Sequence, residues 1–246
     1  QKGLSLFAVG RTHFGIGHRF NGRFVLPWGV MEVEKDQLAE GNRNWLALQR
    51  WLNLSDNEKN VTWCSLNACA FEVGEMSANI LGGAFKSPEW IRKIKPSSTI
   101  YSWALNNHWH TNFALSQDGS IKFEYRVQPA KGAYKAADAN RFGMEQIRPM
   151  IAVPVDQQFT YSPNMKLSGD ESVVVSMIKT IEEGKSQIVR LRSVSDNDQV
   201  VFLAWDTKKP RRVSLCKSGE EPGSEQIADG KIRVPAMGFA TVRLDW

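Results

Sequence analysis

The sequence lacks any apolar run long enough to cross a membrane. A spanning helix needs about 18–20 consecutive apolar residues, and no stretch of the 246 residues reaches that length. The first residues, Gln1 to Leu4, contain neither an initiator methionine nor the apolar core of a signal peptide. We therefore expect no membrane association, and we interpret the start as a processed end or a boundary within a longer protein.

Cysteine is scarce, with three residues in the whole chain: Cys64, Cys69 and Cys216. They form no CxxC pair and no zinc-ribbon spacing, and an odd number cannot all be joined in disulfides, although one bridge is compatible with the sequence. Two glycosylation sequons, at Asn53-Leu54-Ser55 and Asn60-Val61-Thr62, slightly favour a periplasmic or secreted protein over a cytoplasmic one.

The net charge is +5, and the basic excess is spread along the chain apart from one local cluster. The densest basic group, Lys208 to Arg212, holds Pro210 between two strand-like runs, which is typical of a solvated turn. Nucleic-acid-binding domains gather basic residues on one face and often interleave aromatic residues. We therefore expect no nucleic-acid partner.

The common catalytic motifs are missing as well. The sequence contains no GxSxG nucleophile elbow, HExxH motif, P-loop or dinucleotide fingerprint. Glycoside hydrolysis normally needs two carboxyl groups that face each other across the scissile bond. The acidic candidates form no such pair in the sequence pattern: Glu32, Glu34, Asp36, Asp118, Glu124 and Glu145. We therefore predict no catalytic residue in this chain.

Helical periodicity is rare, and the best helical candidate, residues 42–51, is too short to assign. Alternating apolar and polar residues dominate in short runs separated by Gly, Pro, Asn and Asp, which predicts an all-β chain: residues 61–66, 121–127, 173–178, 188–194, 200–205 and 240–244. A polar, turn-rich stretch around residues 161–171 separates a long first region from a shorter second one. We predict two domains, residues 1–165 and 166–246.

Tryptophan, by contrast, is abundant. There are nine, and those before residue 110 are Trp28, Trp45, Trp51, Trp63, Trp90, Trp103 and Trp109. Each one taken singly is expected in the core of a large β domain. Because an indole face also stacks well on the C–H face of a sugar ring, the set is large enough to place at least one at a sugar site.

The segment Tyr101–Phe113 carries the clearest pattern in the sequence. Written as a strand, it has an apolar and aromatic set at odd positions. Its even positions include a polar set on the opposite face: Asn106, His108, His110 and Asn112. The run Ile121–Val127 divides in the same way and carries Arg126 on its polar face. Asp118-Gly119 between the runs is a hairpin signal, and we predict a bulged turn that places Asn112 opposite Arg126.

Three functions fit this polar face. His108 and His110 share a face, as some zinc sites require, but a third ligand would have to come from elsewhere in the chain. Alternatively, Asn, His and Arg side chains match vicinal sugar hydroxyls, and a nearby Trp adds stacking. The face could also be a hydrogen-bonded structural layer at an interface. The predicted carbohydrate contacts are Asn106, His108, Trp109, His110, Asn112 and Arg126, and we predict no metal site in this chain.

Six segments occur in an order that carries a family resemblance: Leu26–Met31, Lys35–Leu38, Leu48–Ser55, Val61–Trp63, Tyr101–Phe113 and Val234–Thr241. Together they resemble the C-terminal β region of bacterial glycoside hydrolase family 38, the α-mannosidase family, from about Leu26 to the end of the chain. The most specific part is Asn106–Asn112. The chain departs from the family pattern at Asn67–Ala70, where the acid and the proline of the relatives are absent.

The resemblance implies a galactose-mutarotase-like supersandwich followed by a small antiparallel β-sandwich. In that family an upstream α/β barrel holds the catalytic zinc and the carboxylate nucleophile, so this chain alone would be inactive and would hold no cofactor. The implied partners are that catalytic barrel and a glycan, with Asn106–Asn112 lining the outer part of the cleft. The alternatives are a stand-alone carbohydrate-binding module and a structural β domain without a ligand.

Overall fold

A computed structural model describes residues 7–13, 21–27, 29–77, 91–106, 118–156, 164–181, 184–217 and 219–246. The chain forms two compact units, residues 1–149 and 150–246. The sequence places the division later, after residue 165. Residues 157–163 lie between these two positions and outside the described part of the chain, so the boundary after residue 165 stays a prediction.

The described part of the first unit consists of short strands and one helix: β1 (Phe7–His13), β2 (Asn21–Leu26), β3 (Gly29–Glu32), β4 (Leu46–Ala47), β5 (Trp51–Ser55), β6 (Lys59–Ser65), β7 (Ala70–Val73), β8 (Thr99–Asn106), β9 (Tyr125–Lys131) and α1 (Ala136–Ile147). The described part of the second unit contains only strands: β10 (Met165–Gly169), β11 (Val173–Ile181), β12 (Ser186–Ser193), β13 (Gln199–Trp205), β14 (Arg212–Cys216), β15 (Pro222–Gln226), β16 (Lys231–Val234) and β17 (Phe239–Asp245). The predicted all-β fold class is confirmed.

The first unit is a sandwich of two antiparallel sheets. One sheet has the order β1-β8-β7-β4 and the other has the order β3-β2-β5-β6-β9. Alternate side chains of both sheets form one buried apolar cluster, because successive residues of a strand point to opposite faces: Phe24, Leu46, Leu52, Leu54, Trp63, Phe71, Val73 and Ile100. Val33, Leu48 and Ile94 join it from the connections between strands. An edge-to-face contact between Phe24 of β2 and Phe71 of β7 links the sheets, with ring centroids 5.4 Å apart.

Helix α1 covers the other face of the five-stranded sheet. Its buried residues, among them Ala139, Phe142 and Gly143, lie on one side of the helix. They join a second apolar cluster with Val25 and Trp51 of the sheet. The sequence pattern did not predict this helix. Residues 42–51, the best helical candidate but too short to assign from the sequence, contain β4 and the first residue of β5.

The second unit is a smaller antiparallel sandwich. Its sheets have the orders β10-β13-β16 and β11-β12-β17-β14-β15. Both sheets contribute to a separate buried core: Val173, Val189, Leu191, Val201, Leu203, Val213, Ile227, Ile232, Val234, Ala240, Val242 and Leu244. Each unit therefore has an apolar core of its own. Across the described residues of both units, no helix is long and apolar enough to span a bilayer.

Candidate functional site

The structure places two of the six predicted carbohydrate contacts. Asn106 is the last residue of β8, where it pairs with Phe7 of β1. Arg126 lies on β9, opposite Cys64 of β6. The other four predicted contacts lie outside the described residues: His108, Trp109, His110 and Asn112.

Strands β8 and β9 lie in different sheets of the first unit, so the described residues do not show the single sheet face predicted for Asn106 and Arg126. The packing of Tyr125, the first residue of β9, explains why the two strands do not form one sheet face. Its ring stacks on Trp63 with centroids 5.4 Å apart, and its hydroxyl lies 3.0 Å from the hydroxyl of Ser102 on β8. Tyr125 thus packs between the two sheets, and β8 and β9 face each other there.

Over residues 100–103, before a register shift in the pairing of β8 with β1, the two faces of β8 are the reverse of the predicted ones. The even-numbered Ile100 and Ser102 are buried, and Ile100 belongs to the core between the sheets. The odd-numbered Tyr101 and Trp103 lie on the other face and are half-buried. Both faces of this strand are therefore covered to a large extent, and alternation alone does not tell which one faces the sandwich core.

The odd-numbered face of β8 adjoins a buried carboxylate. Glu72 of β7 is only 2% exposed. It accepts hydrogen bonds from the backbone N–H of Ser77 and from the indole N–H of Trp103, and its Oε2 lies 3.1 Å from the hydroxyl of Ser77. Three donors on one carboxylate offset the cost of removing its charge from water.

A second set of hydrogen bonds extends this cluster to the residues before β4. Asn44 is buried, and its side-chain amide donates to the carbonyl of Ser77 at 3.2 Å. It also accepts from the backbone N–H of Ile91 at 3.1 Å. The indole of the neighbouring Trp45 stacks on that of Trp103, with ring centroids 5.3 Å apart and an angle of 27° between the planes. We call Asn44, Trp45, Glu72, Ser77 and Trp103 the Glu72 cluster.

The Glu72 cluster holds β8 in place. The predicted contact segment, Asn106–Asn112, continues in the sequence from the end of this strand. The carboxylate is buried beneath its donors, so it orients Trp103 and is not poised to attack a substrate. The sequence reading did not include Glu72 among its acidic candidates. The available signal was a single acid inside the otherwise apolar strand Ala70-Phe71-Glu72-Val73, since an acid in such a place must be paired or hydrogen-bonded.

Several of the predicted acidic candidates are held by basic partners. Glu32 forms an ion pair with Arg23 at 2.9 Å, and Glu34 forms one with Arg43 at 3.1 Å. These contacts give both carboxylates a structural role at the end of β3.

Arg126 also has an acidic neighbour. Its guanidinium lies 2.8 Å from Glu124, whose other oxygen lies 2.6 Å from the ammonium of Lys122. Hydrogen bonding from Lys122, followed by that from Arg126, lowers the pKa of the Glu124 carboxyl. The Arg126 side chain remains 45% exposed, which leaves it accessible to a ligand.

The described residues contain no group of three or more His, Cys, Asp or Glu side chains that could hold a metal ion. All three cysteines are free, so the single disulfide that the sequence allows does not form in this structure. Cys64 is fully buried, and its thiol lies 3.0 Å from the carbonyl oxygen of Arg50. Burial raises the pKa of this thiol to about 12, an effect that the positive charge of Arg50 partly offsets.

Two antiparallel sandwiches, one in each unit, define the chain as an all-β protein. The structure is similar to a crystal structure of an alpha-mannosidase from Enterococcus faecalis V583, with a TM-score of 0.68 and 14% identity over 96% of this chain. It is also similar to a protein in glycosyl hydrolase family 38 from Enterococcus faecalis, with a TM-score of 0.60 and 14% identity over 94% of this chain.

This chain spans about a quarter of the length of each similar structure, 25% in both cases. No family model and no curated protein matches the sequence. At this level of identity the similarity establishes the fold. The fold expected from the family 38 resemblance is therefore confirmed.

Proposed function

We propose that this chain is the non-catalytic β region of an α-mannosidase-like glycoside hydrolase. The observation that carries the proposal is the unequal coverage of the structural match. The match includes 96% of this chain but only 25% of the alpha-mannosidase. The six sequence segments that resemble family 38, and their order along the chain, support the same assignment. In this proposal the rest of a longer polypeptide supplies the catalytic barrel, its zinc and its nucleophile, and this chain supports and flanks that barrel.

The proposed contact with the glycan lies at the end of β8. Asn106 is the last residue of β8, the strand that the Glu72 cluster holds, and the other four predicted contacts follow it in the sequence: His108, Trp109, His110 and Asn112. Asn and His side chains supply paired donors and acceptors for sugar hydroxyls, and Trp supplies a stacking face. Arg126 adds an exposed cation from β9. These groups would bind and orient the glycan, while bond cleavage takes place on the catalytic barrel.

The test compares this chain with the full-length gene product, both supplied with zinc and assayed on 4-nitrophenyl α-D-mannopyranoside. We expect hydrolysis by the full-length protein and none by this chain. The double variant His108→Ala/His110→Ala in the full-length protein should lower kcat/KM by roughly 10- to 100-fold, the loss typical of substrate-positioning groups, with an unchanged circular dichroism spectrum. Asn197→Ala, at an exposed position of the second unit, is the control and should keep full activity.

Two results would contradict the proposal. If the native protein has the mass of this chain alone, 27.7 kDa, there is no catalytic barrel for it to support. In that case, binding of mannose-containing glycans by the isolated chain would favour a stand-alone carbohydrate-binding module. If the histidine double variant unfolds, the two histidines have a structural role instead.

A further inference from the structure

Residues 150–155, with the sequence Met-Ile-Ala-Val-Pro-Val, form an exposed apolar segment. Met150 is 100% exposed, Ile151 88%, Val153 69% and Val155 58%. No other six consecutive residues in the described ranges hold four exposed large apolar side chains. The segment belongs to neither a strand nor a helix. We refer to it as the 150–155 segment.

This composition is unusual for a connection that faces water. Connecting segments are normally rich in polar residues and glycine, and contiguous exposed apolar side chains in a soluble protein mark a surface that another molecule covers. Pro149 precedes the segment and Pro154 lies within it. Each proline restricts its own backbone and favours an extended conformation for the residue before it. The segment therefore loses little conformational freedom when it is bound.

We propose that the 150–155 segment docks into an apolar groove on the part of the longer polypeptide that lies outside this chain. The inference rests on the proposed function and names the surface through which the β region holds its partner. The similar structures extend well beyond the matched region, because this chain spans only 25% of each.

The composition of the segment favours an apolar protein groove as its partner over a glycan. It also disfavours a second copy of this chain bound through charged side chains. None of residues 150–155 has a charged side chain, and the nearest charged residues are Arg148 and Asp156. A glycan site needs hydrogen-bonding side chains, which this segment does not provide. An apolar protein groove is the surface that four aliphatic side chains in a short extended segment would fit.

The test measures the solvent accessibility of Met150 and Ile151 by hydroxyl-radical footprinting with mass spectrometry. It compares this chain with the full-length gene product at equal concentration. We expect oxidation of Met150 to slow at least tenfold in the full-length protein. Phe202, an exposed apolar residue of β13, serves as the internal reference and should react at the same rate in both proteins.

A pair of variants supplies an independent measurement. Met150→Ser/Ile151→Ser should leave the thermal midpoint of this chain unchanged, because both side chains already lie in water. In the full-length protein the same change should raise the rate of proteolytic cleavage near residue 150 by roughly tenfold or more, since each buried apolar side chain contributes about that factor to an association constant. The matched control, Val200→Ser/Phe202→Ser, removes two exposed apolar side chains from β13 and should not change that rate.

The outcomes separate the two proposals. If the full-length protein hydrolyses α-mannosides but Met150 is oxidised equally fast in both proteins, the docking inference is wrong and the proposed function stands. Protection that appears in this chain alone and grows with its concentration would show that a second copy covers the segment, which also overturns the inference. A native protein of this chain's own size would reject the proposed function itself.

Discussion

At the scale of the residue, burial separates the three thiols of the chain. Cys64 is fully buried, Cys216 is half-buried and Cys69 is exposed. The pKa of the Cys64 thiol is raised to about 12, so in the folded state this thiol keeps its proton at pH values where an unfolded chain would release it. Between the ordinary thiol pKa and about 12, the unfolded state binds fewer protons. Stability therefore falls as the pH rises through that window, and below it Cys64 adds no pH dependence.

We expect iodoacetamide at about pH 8, near the ordinary thiol pKa, to alkylate Cys69 and to leave Cys64 unmodified in the folded chain. The thiolate is the reactive form, and Cys64 is both protonated and buried in the apolar cluster between its sheet and α1. Peptide mass spectrometry measures the two rates, and addition of urea should make them similar. Equal rates without urea would contradict the buried position of Cys64.

Gly143 of α1 tests the packing of the helix on the sheet. A Cβ atom at this position would lie 2.4 Å from Cδ1 of the buried Trp51. We expect Gly143→Ala to lower the free energy of unfolding by about 1–3 kcal/mol, the usual cost of overpacking. This cost outweighs the gain in helix propensity, which is about 1 kcal/mol at most.

Urea denaturation followed by circular dichroism measures that change. Gly219→Ala is the control, because Gly219 is exposed and no heavy atom lies within 4 Å of the added Cβ. We expect the control to change stability by less than about 0.5 kcal/mol, as surface substitutions usually do. An unchanged midpoint for Gly143→Ala would mean that the helix lies farther from Trp51 than the structure shows.

At the scale of the element, the hydrogen bond from Trp103 to Glu72 joins β8 to β7 through side chains as well as through the backbone ladder. Glu72→Ala removes the acceptor shared by Trp103 and Ser77. We expect it to lower the free energy of unfolding by about 3 kcal/mol, since hydrogen bonds to buried charged groups contribute about 1.5–3 kcal/mol each and the contributions overlap.

A double-mutant cycle isolates this contact. Trp103→Phe keeps a six-membered aromatic ring near Trp45 and removes the pyrrole part of the indole with its N–H, and Glu72→Gln keeps the shape of the side chain and removes its charge. We expect a coupling free energy of about 0.5–3 kcal/mol between the two changes in urea denaturation. Additive effects would show that Glu72 stabilises the cluster through Ser77 alone.

Alternation in the sequence predicted many of the strands because those strands have one face in a core and one in water. Residues 200–205, for example, correspond closely to β13, whose buried and exposed residues alternate. Residues 61–66 also correspond closely to β6, although both faces of that strand are largely buried. Alternation failed for residues 121–127, where the strand begins only at Tyr125. It also gave the wrong core face for residues 100–103 of β8, because the outer face of that strand is covered by the Glu72 cluster.

The helix was missed for a related reason. Residues 136–147 have few large apolar side chains, and Gly143 lowers the helix propensity of the segment. Its burial depends instead on Trp51, which is distant in sequence and leaves room for a glycine but not for a side chain. A contact of this kind exists only after the sheet has formed, so no local pattern could reveal it.

At the scale of the whole molecule, the composition and the family resemblance predicted two all-β regions in series, and the structure has two units with separate cores. The sequence pattern predicted the domain boundary at a polar stretch and did not indicate that the apolar 150–155 segment is exposed. Exposure is a property of the assembled protein. The exposure of residues 150–155 therefore could not be predicted from the sequence, in which an apolar run is equally typical of a buried strand.

The stacked indoles of Trp45 and Trp103 have a spectroscopic consequence. Two indoles with centroids 5.3 Å apart and a fixed mutual orientation couple their electronic transitions. Exciton coupling of this kind produces a pair of circular dichroism bands of opposite sign in the aromatic part of the far-ultraviolet spectrum. The first unit thus carries a built-in chromophore pair whose signal disappears as soon as β8 separates from the residues before β4, and ligand-induced changes there can be followed without any added label.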